Sequence, residues 1–307
     1  MKKTTNGKYF TLNDYAIEKY GKKIIKLCIN AGFSCPNRKN GKDGCLFCTD
    51  KGIGDMAEKP NLSITKQLEN QRGKSDEKYN DGVYFTYFQS FTNTYKLVEE
   101  LEKIYYEALN FPDISGISIA TRPDELNGDI LKLLKKINDN CEVWVEMGLQ
   151  ISNEKSAKFL NIGYKRELFL KKALELKDAG IKVIAHIIVG LPFEDENDNI
   201  ETIKFLNKCK VWGVKIHSFY IQKNSPIYAY YKKSPFAVLE KDEYTSVVVS
   251  LMERLNPEII IHRITGDADK SLIFLPEWSC DKLSVIGEIH KKLKEKNSFQ
   301  GKYYEII

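Results

Sequence analysis

Three cysteines, Cys35, Cys45 and Cys48, stand with nine residues between the first two and two between the last two. They lie in the runs Ala31-Gly32-Phe33-Ser34-Cys35-Pro36-Asn37-Arg38 and Gly44-Cys45-Leu46-Phe47-Cys48. Thiolates this close can hold three irons of a [4Fe–4S] cluster. The fourth iron would then lack a protein ligand, which is useful only if a small molecule binds it. Cys28 precedes the loop on an apolar run and Cys141 is far downstream, so neither offers a fourth thiolate. Gly32, Gly41, Gly44, Gly52 and Gly54 let the backbone bend around an inorganic core. Two blander readings compete. A structural zinc site usually takes four Cys or His ligands, and the nearest histidine in sequence is His186. A disulfide framework belongs to secreted chains, and nothing in the sequence suggests secretion.

A cysteine loop needs a frame. Ile24–Ile29 is a short β-branched run that ends at the loop and reads as a first strand. Further strands are expected at Val83–Phe88, Gly116–Ala120, Glu142–Gly148, Ile181–Val189 and Val214–Tyr220. Helical sequence separates them: Ser63 to about Asn80 with Ser63 as N-cap, Tyr95–Leu109, Asp129–Ile137, Asn153 to about Lys177 with a break near Gly163, and Asn197–Lys210. Strands alternating with helices predict parallel βαβ units. Six units predict an α/β fold, a partial (β/α)6 barrel, with its polar residues gathered where the strands end. The expected organisation is a lead-in over 1–22, the barrel over 23–221 and a C-terminal extension over 222–307. Within the extension, Gln222 to Phe236 reads as a long loop rich in Lys and Tyr, Leu239–Leu255 and Leu283–Lys294 as helices, and Ile259–Ile261 as a short strand.

The chain has 307 residues and a formal charge of +5. Its composition is that of a globular protein with ample apolar residues for a core. The basic start, Met1 to Lys8, is not followed by an apolar stretch, which argues against a secretory signal. No apolar run of eighteen or more residues predicts a membrane span. Unpaired cysteines and an oxygen-sensitive cluster fit the reducing cytoplasm. The small basic excess favours nucleic acid only weakly.

The segments AGFSCPNR, GCLFC, YFQSFTNTY, SIATRPD, WVEMGLQ, HIIVGLP, KIHSF, HRITGD and GKYY together resemble the radical S-adenosylmethionine (SAM) enzymes of the YhcC/YtqA type. These are relatives of the radical domain of the Elongator catalytic subunit. The resemblance covers almost the whole chain. It departs from the commoner cluster motif, which has three residues between the first two cysteines. It departs from Elongator after Ile221, where nothing resembles an acetyltransferase, so acetyl-coenzyme A chemistry is not carried over.

The resemblance implies that Cys35, Cys45 and Cys48 ligate the cluster and that SAM binds the open iron and is split there. It implies an electron donor such as flavodoxin or ferredoxin. It places Gln89, Thr92, Asn93, Glu146 and Gln150 at the cofactor, with Gln150 at the ribose. Read as residues alone, Gln89, Thr92 and Asn93 serve equally well as a self-bonded turn. Glu146 could instead form an ion pair inside the barrel, for instance with Arg122. Arg122, Lys215, His262, Arg263 and Asp267 are expected near the substrate. His186, in an apolar strand, reads as a satisfied core histidine. The implied reaction is modification of the wobble uridine of tRNA, from 5-carboxymethylaminomethyl to 5-aminomethyl. Lys223, Tyr228, Tyr230, Tyr231, Lys232 and Lys233 would then supply cations and rings for RNA, although an ordinary solvated loop has the same composition. The alternative is a radical SAM oxidoreductase acting on a small metabolite.

Overall fold

Six strands run in parallel and in chain order: β1 (Ile24–Ile29), β2 (Val83–Phe88), β3 (Ile114–Thr121), β4 (Glu142–Gln150), β5 (Lys182–Val189) and β6 (Gly213–Ser218). The computed structural model describes residues 4–41, 44–50, 52, 57–58, 60–79, 81–266 and 269–305. Helices cross back between the strands: α2 (Ile64–Asp76), α3 (Val98–Leu109), α4 (Gly128–Asn138), the pair α5 (Glu154–Phe159) and α6 (Arg166–Asp178), and α7 (Glu196–Lys208). Ser63 caps α2 by accepting from the backbone of Lys66, as a serine before a helix should. The sheet curls into a half-barrel with the helices outside. None of the described helices is long and apolar enough to cross a membrane.

The sheet has seven strands, one more than the sequence predicts. After β6 come β7 (Ile221–Gln222), α8 (Pro226–Lys233) and α9 (Lys241–Arg254), and then β8 (Ile260–Arg263) returns to pair in parallel with β6. The segment expected to pack on the barrel as an extension thus contributes one of its strands. A short apolar run shows where a strand is, but its pairing partner is a tertiary choice. The stretch expected as a long loop is also partly helical. Pro226 opens α8 at the position where a fixed φ and a missing N–H cost nothing. Tyr228 and Tyr231 then pack inward against Phe274 and Phe236. β9 (Ile273–Leu275) pairs antiparallel with β7, and α10 (Lys282–Glu295) lies on α9.

Side chains alternate across a strand, so each strand has an outer and an inner set. The outer set is apolar: Leu27, Ile117, Ile119, Val143, Val145, Val183 and Ile216 are buried beneath the helices in the main core. The inner set forms levels. At the N-terminal end Phe85, Trp144 and Ile184 make a dry floor, with Trp212 against Trp144. The helix α1 (Leu12–Tyr20) closes this end by packing Leu12, Tyr15 and Tyr20 on it. Glu142 ties the plug down. It accepts from Tyr15 (2.9 Å), Tyr20 (2.6 Å) and the Trp144 indole (2.6 Å), and is paired with Lys19 and Lys182. The first residues also line the free edge of β8. Ile261 N donates to Phe10 O (2.9 Å), while Phe10 N donates to Gln300 Oε1 (3.0 Å).

Candidate active site

Above the floor the half-barrel holds a cavity of about 360 Å³. Its rim is made by the loops that follow the strands and its base by their inner residues. The rim begins with the cysteine loop. A short 3-10 turn, Pro36–Gly41, starts immediately after Cys35, and Cys48 N donates to Cys45 O (3.0 Å). The loop is held from both sides. Leu46 N donates to Leu160 O (3.0 Å), and Ile227 N at the start of α8 donates to Leu46 O (2.9 Å). Asn161 Nδ2 donates to Gly44 O (2.7 Å), and Phe47 packs on the apolar patch of Leu160, Ile162 and Ile227.

Cys35, Cys45 and Cys48 all line the cavity. The hydrogen bond between Cys45 and Cys48 draws the Cys45 thiol down to about 7 against its burial, helped by the Arg122 and Arg38 charges. Cys141, Cys209 and Cys280 lie away from the cavity, and Cys28 lines it lower down, on β1. The chemistry of this donor set fits a cluster whose irons each take one thiolate. No three His, Cys, Asp or Glu residues among those described converge on a point that could hold one metal ion.

Gln89, Thr92 and Gln150 line the same cavity. Gln89 Oε1 is buried with no hydrogen-bond partner, an acceptor aimed at a space that a ligand donor could fill. Gln150 sits at a bulge in β4 with φ +63°, and its amide folds back over Gly148. A Cβ at Gly148 would come within 2.5 Å of that amide nitrogen, so glycine is required for this pose. Asn93 does not line the cavity. Its Nδ2 donates to Phe88 O (3.1 Å) and Ala120 O (2.9 Å), which makes it a brace between β2 and β3. The self-bonded turn reading covers the bond to Phe88 O, while the bond to Ala120 O crosses to β3.

Glu146 does not pair with Arg122. Its side chain is fully buried and both oxygens are engaged by five side chains. Lys26 Nζ (2.5 Å) and Ser118 Oγ (2.7 Å) donate to Oε1. Lys215 Nζ (2.5 Å) and Tyr87 OH (2.9 Å) donate to Oε2, and His186 Nε2 lies 2.7 Å from it. Burial opposes the Glu146 charge, but the Lys215 and Lys26 ammoniums and the His186 bond overcome it and hold the carboxyl well below the usual range. Burial pulls Lys215 down to about 7 against the attraction of Glu146. It also pulls His186 down to about 4, partly offset by the same carboxylate.

These groups form one polar level. Cys28, Tyr87 and Ser118 are register partners across β1, β2 and β3; His186, Lys215 and Arg263 are partners across β5, β6 and β8. His217 stacks on His186 with ring centroids 5.1 Å apart. Lys26, Tyr87 and Ser118 are functional candidates absent from the sequence expectations, while His186, expected as a satisfied core histidine, has partners at both ring nitrogens. The signal was present as polar residues at alternate positions of otherwise apolar strands: Lys26 and Cys28, Tyr87 and Gln89, Lys215 and His217.

The remaining expected substrate residues that are described also line the cavity. Arg122 lines the rim, donates to both oxygens of Asp124 (2.9 and 2.7 Å) and to Ile162 O (2.9 Å), and lies over the Tyr164 ring. Burial works against its charge, yet the Asp124 carboxylate keeps it firmly protonated. His262 and Arg263 line the cavity; His262 sits edge-on to Trp144 and Trp212 with both ring nitrogens lacking a hydrogen-bond partner. Asp267 lies outside the described residues. In the Lys223–Lys233 segment Tyr230 is part-exposed, and Lys232 lies over Tyr228 and Phe274.

The sequence profile of the radical SAM superfamily matches residues 29–206, and that of the radical SAM C-terminal domain matches residues 211–295. The chain is 38% identical over 303 residues to the uncharacterized protein YtqA of Bacillus subtilis, covering 98% of this chain and 94% of that one. It is 31% identical over 280 residues to YhcC of Escherichia coli K12, covering 90% and 89%. A weaker similarity, 24% over 212 residues, links 64% of it to 44% of a tRNA-2-methylthio-N(6)-dimethylallyladenosine synthase of Thermodesulfovibrio yellowstonii. Among solved structures, an archaeal Methanocaldococcus infernus Elp3 superposes with a TM-score of 0.67 at 17% identity; the match covers 78% of this chain and 61% of that one. With three thiols on the rim of a curled parallel sheet and a profile that spans most of that sheet, the chain belongs to the radical SAM superfamily, whose members bind a [4Fe–4S] cluster and SAM.

Proposed function

We propose that this protein modifies the wobble uridine of tRNA, converting a 5-carboxymethylaminomethyl group to 5-aminomethyl. The observation that carries the reading is the vertical order of the cavity, with three thiols at the rim above a buried level of Lys26, Glu146, His186 and Lys215. Cys35, Cys45 and Cys48 would hold the cluster, and Gln89, Thr92 and Gln150 would bond the polar groups of SAM. When bound, the cluster and SAM supply a hydrogen-abstracting radical. The protein orients the target carbon and keeps water out. The dry floor of Phe85, Trp144 and Ile184, sealed by α1, closes the cavity from below. Two further facts support RNA as substrate: the similarity to a tRNA-modifying synthase, and Lys232 and Lys233 at the end of α8, the helix that also braces the cysteine loop. A wobble base lies in a single-stranded loop, so it can be splayed into a cavity without breaking a helix.

A second reading is a radical SAM oxidoreductase of a small metabolite. It is favoured by the inward packing of Tyr228 and Tyr231, which leaves fewer rings for bases than a free loop would. Mass spectrometry of tRNA nucleosides from cells lacking the protein separates the two. Accumulation of 5-carboxymethylaminomethyluridine with loss of the 5-aminomethyl form is expected. An unchanged nucleoside profile would overturn the tRNA reading.

A further inference from the structure

Lys26 and Lys215 share one carboxylate. Both ammoniums lie 2.5 Å from Glu146, and their side chains are only 16% and 10% exposed. Among the described residues neither lysine is paired with another acid. Two lysines against one carboxylate leave this level with more cationic than anionic groups, at the base of the cavity. A buried unpaired charge is costly, so such a site is stabilised by whatever negative group can reach it. Each ammonium has three donors and only part of them is spent. Lys215 Nζ is bonded to Glu146 Oε2 at 2.5 Å and to Tyr87 OH at 3.5 Å. The neighbouring rings are already engaged with Glu146 and with each other, so the free donors at this level are those of the lysines. His217 Nε2 lies 3.3 Å from His186 Nδ1 and both rings line the cavity.

We propose that this level of the cavity is a binding site for a carboxylate of the substrate, with Lys215 and Lys26 as its cations. The proposal deepens the tRNA reading and, for its substrate, rests on it: the carboxymethyl end of the uridine side chain enters first and stops at the lysines. This places the bond-breaking region above the polar level and the base toward the rim. The group that the reaction removes is then the one that anchors the substrate, and a product without it loses its anchor and leaves.

The experiment has two arms, both on the anaerobically reconstituted protein. In the first, sodium acetate and inorganic phosphate are titrated against chloride at constant ionic strength, and thermal stability is followed. An anion that binds only the folded state raises the midpoint in proportion to its occupancy. Acetate should stabilise the wild type and lose that effect in Lys215→Met, while Lys215→Arg should retain most of it. In the second arm, binding of tRNA carrying 5-carboxymethylaminomethyl- or 5-aminomethyluridine is compared. Roughly tenfold preference for the carboxylate form is expected, about 1.4 kcal/mol, and Lys215→Met should abolish it. SAM affinity should be the same in wild type and variant. If acetate gives no effect beyond chloride, or if SAM affinity falls together with the acetate effect, the substrate-carboxylate site is refuted. Stabilisation by phosphate alone would refute the carboxylate assignment. A positive acetate arm with no tRNA bound by the wild type would leave the anion site standing and sink the tRNA reading.

Discussion

Replacing Glu146 by Gln should be among the most destabilising single-atom changes available in this chain. The substitution keeps volume and shape but removes the one charge facing Lys26 and Lys215, each 2.5 Å away. It also gives the site a donor where five side chains converge on an acceptor. Removing one partner of a buried ion pair costs about 3–5 kcal/mol. The lower end applies here, because Lys215 already lies near 7 and can shed its proton once the carboxylate that supports it has gone. For a domain of this size roughly 2 °C accompanies each kcal/mol, which at the lower end predicts a drop of about 6 °C. Circular dichroism melts at pH 7, repeated with tryptophan fluorescence to check that the transitions coincide, would measure it. The double variant Glu146→Gln with Lys26→Met should regain much of the loss, since Lys215 can shed its proton and Lys26 is the cation left stranded. A Glu146→Gln protein that melts within 1 °C of wild type would show that the carboxylate does not neutralise the lysines.

Other outcomes follow from the same geometry. Cys35→Ala, Cys45→Ala or Cys48→Ala should each lose the cluster's visible absorbance and iron content, whereas Cys28→Ala, Cys141→Ala, Cys209→Ala and Cys280→Ala should keep both; zinc in place of iron after anaerobic purification would refute the assignment. Gln150→Ala should weaken SAM binding roughly fivefold, about 1 kcal/mol for one hydrogen bond, without loss of cluster absorbance, and an unchanged equilibrium constant would remove Gln150 from the cofactor. His186 is held neutral down to about 4 from an ordinary 6.5. The unfolded chain therefore takes up a proton that the folded one refuses, and stability should fall as pH drops from 6.5 toward 4. His186→Gln should flatten that fall in urea titrations, and an unaltered pH profile would contradict the buried neutral ring. Lys232→Ala with Lys233→Ala should reduce the salt dependence of tRNA binding by roughly two charges' worth; equal affinity at every salt concentration would clear α8 of contact with RNA.

Much of the frame was legible because it is local. β1 and β2 follow from short β-branched and aromatic runs, and Ser63 announces α2 through its side chain. The break between α5 and α6 is carried by Gly163 at φ +85°. What escaped depended on partners distant in sequence. The run Ile259–Ile261 reads as a strand, but nothing in it names β6 as its neighbour. Pro226 opens α8, but a proline among Lys, Tyr and Ser reads as loop just as readily. Asn93 was expected at the cofactor because it follows a strand, yet the peptide groups of Phe88 and Ala120 claim its amide. The polar level was the largest omission. Each strand shows only one or two polar residues, and their meaning emerges when the curled sheet turns their side chains onto Glu146.

The seam beside β8 bears on how the molecule assembles in time. Phe10 and Gln300 are joined by a hydrogen bond that spans 290 positions of the sequence, and Ile261 is bonded to Phe10 in the same place. Contacts this remote close a loop that includes nearly the whole chain, so they come after the neighbouring βα units have formed. Until then β8 offers an unpaired edge, the kind of surface on which chains join one another. The seam is therefore expected to be the last region to gain amide protection during refolding and the first to lose it in mild denaturant, with the Ile261 amide as its reporter. If that amide becomes protected together with Ile117 and Ile119 of β3, the seam is not the late step. A late seam makes the β8 edge the place where a partly folded chain is most exposed to aggregation, on the same strand that carries Arg263 into the cavity.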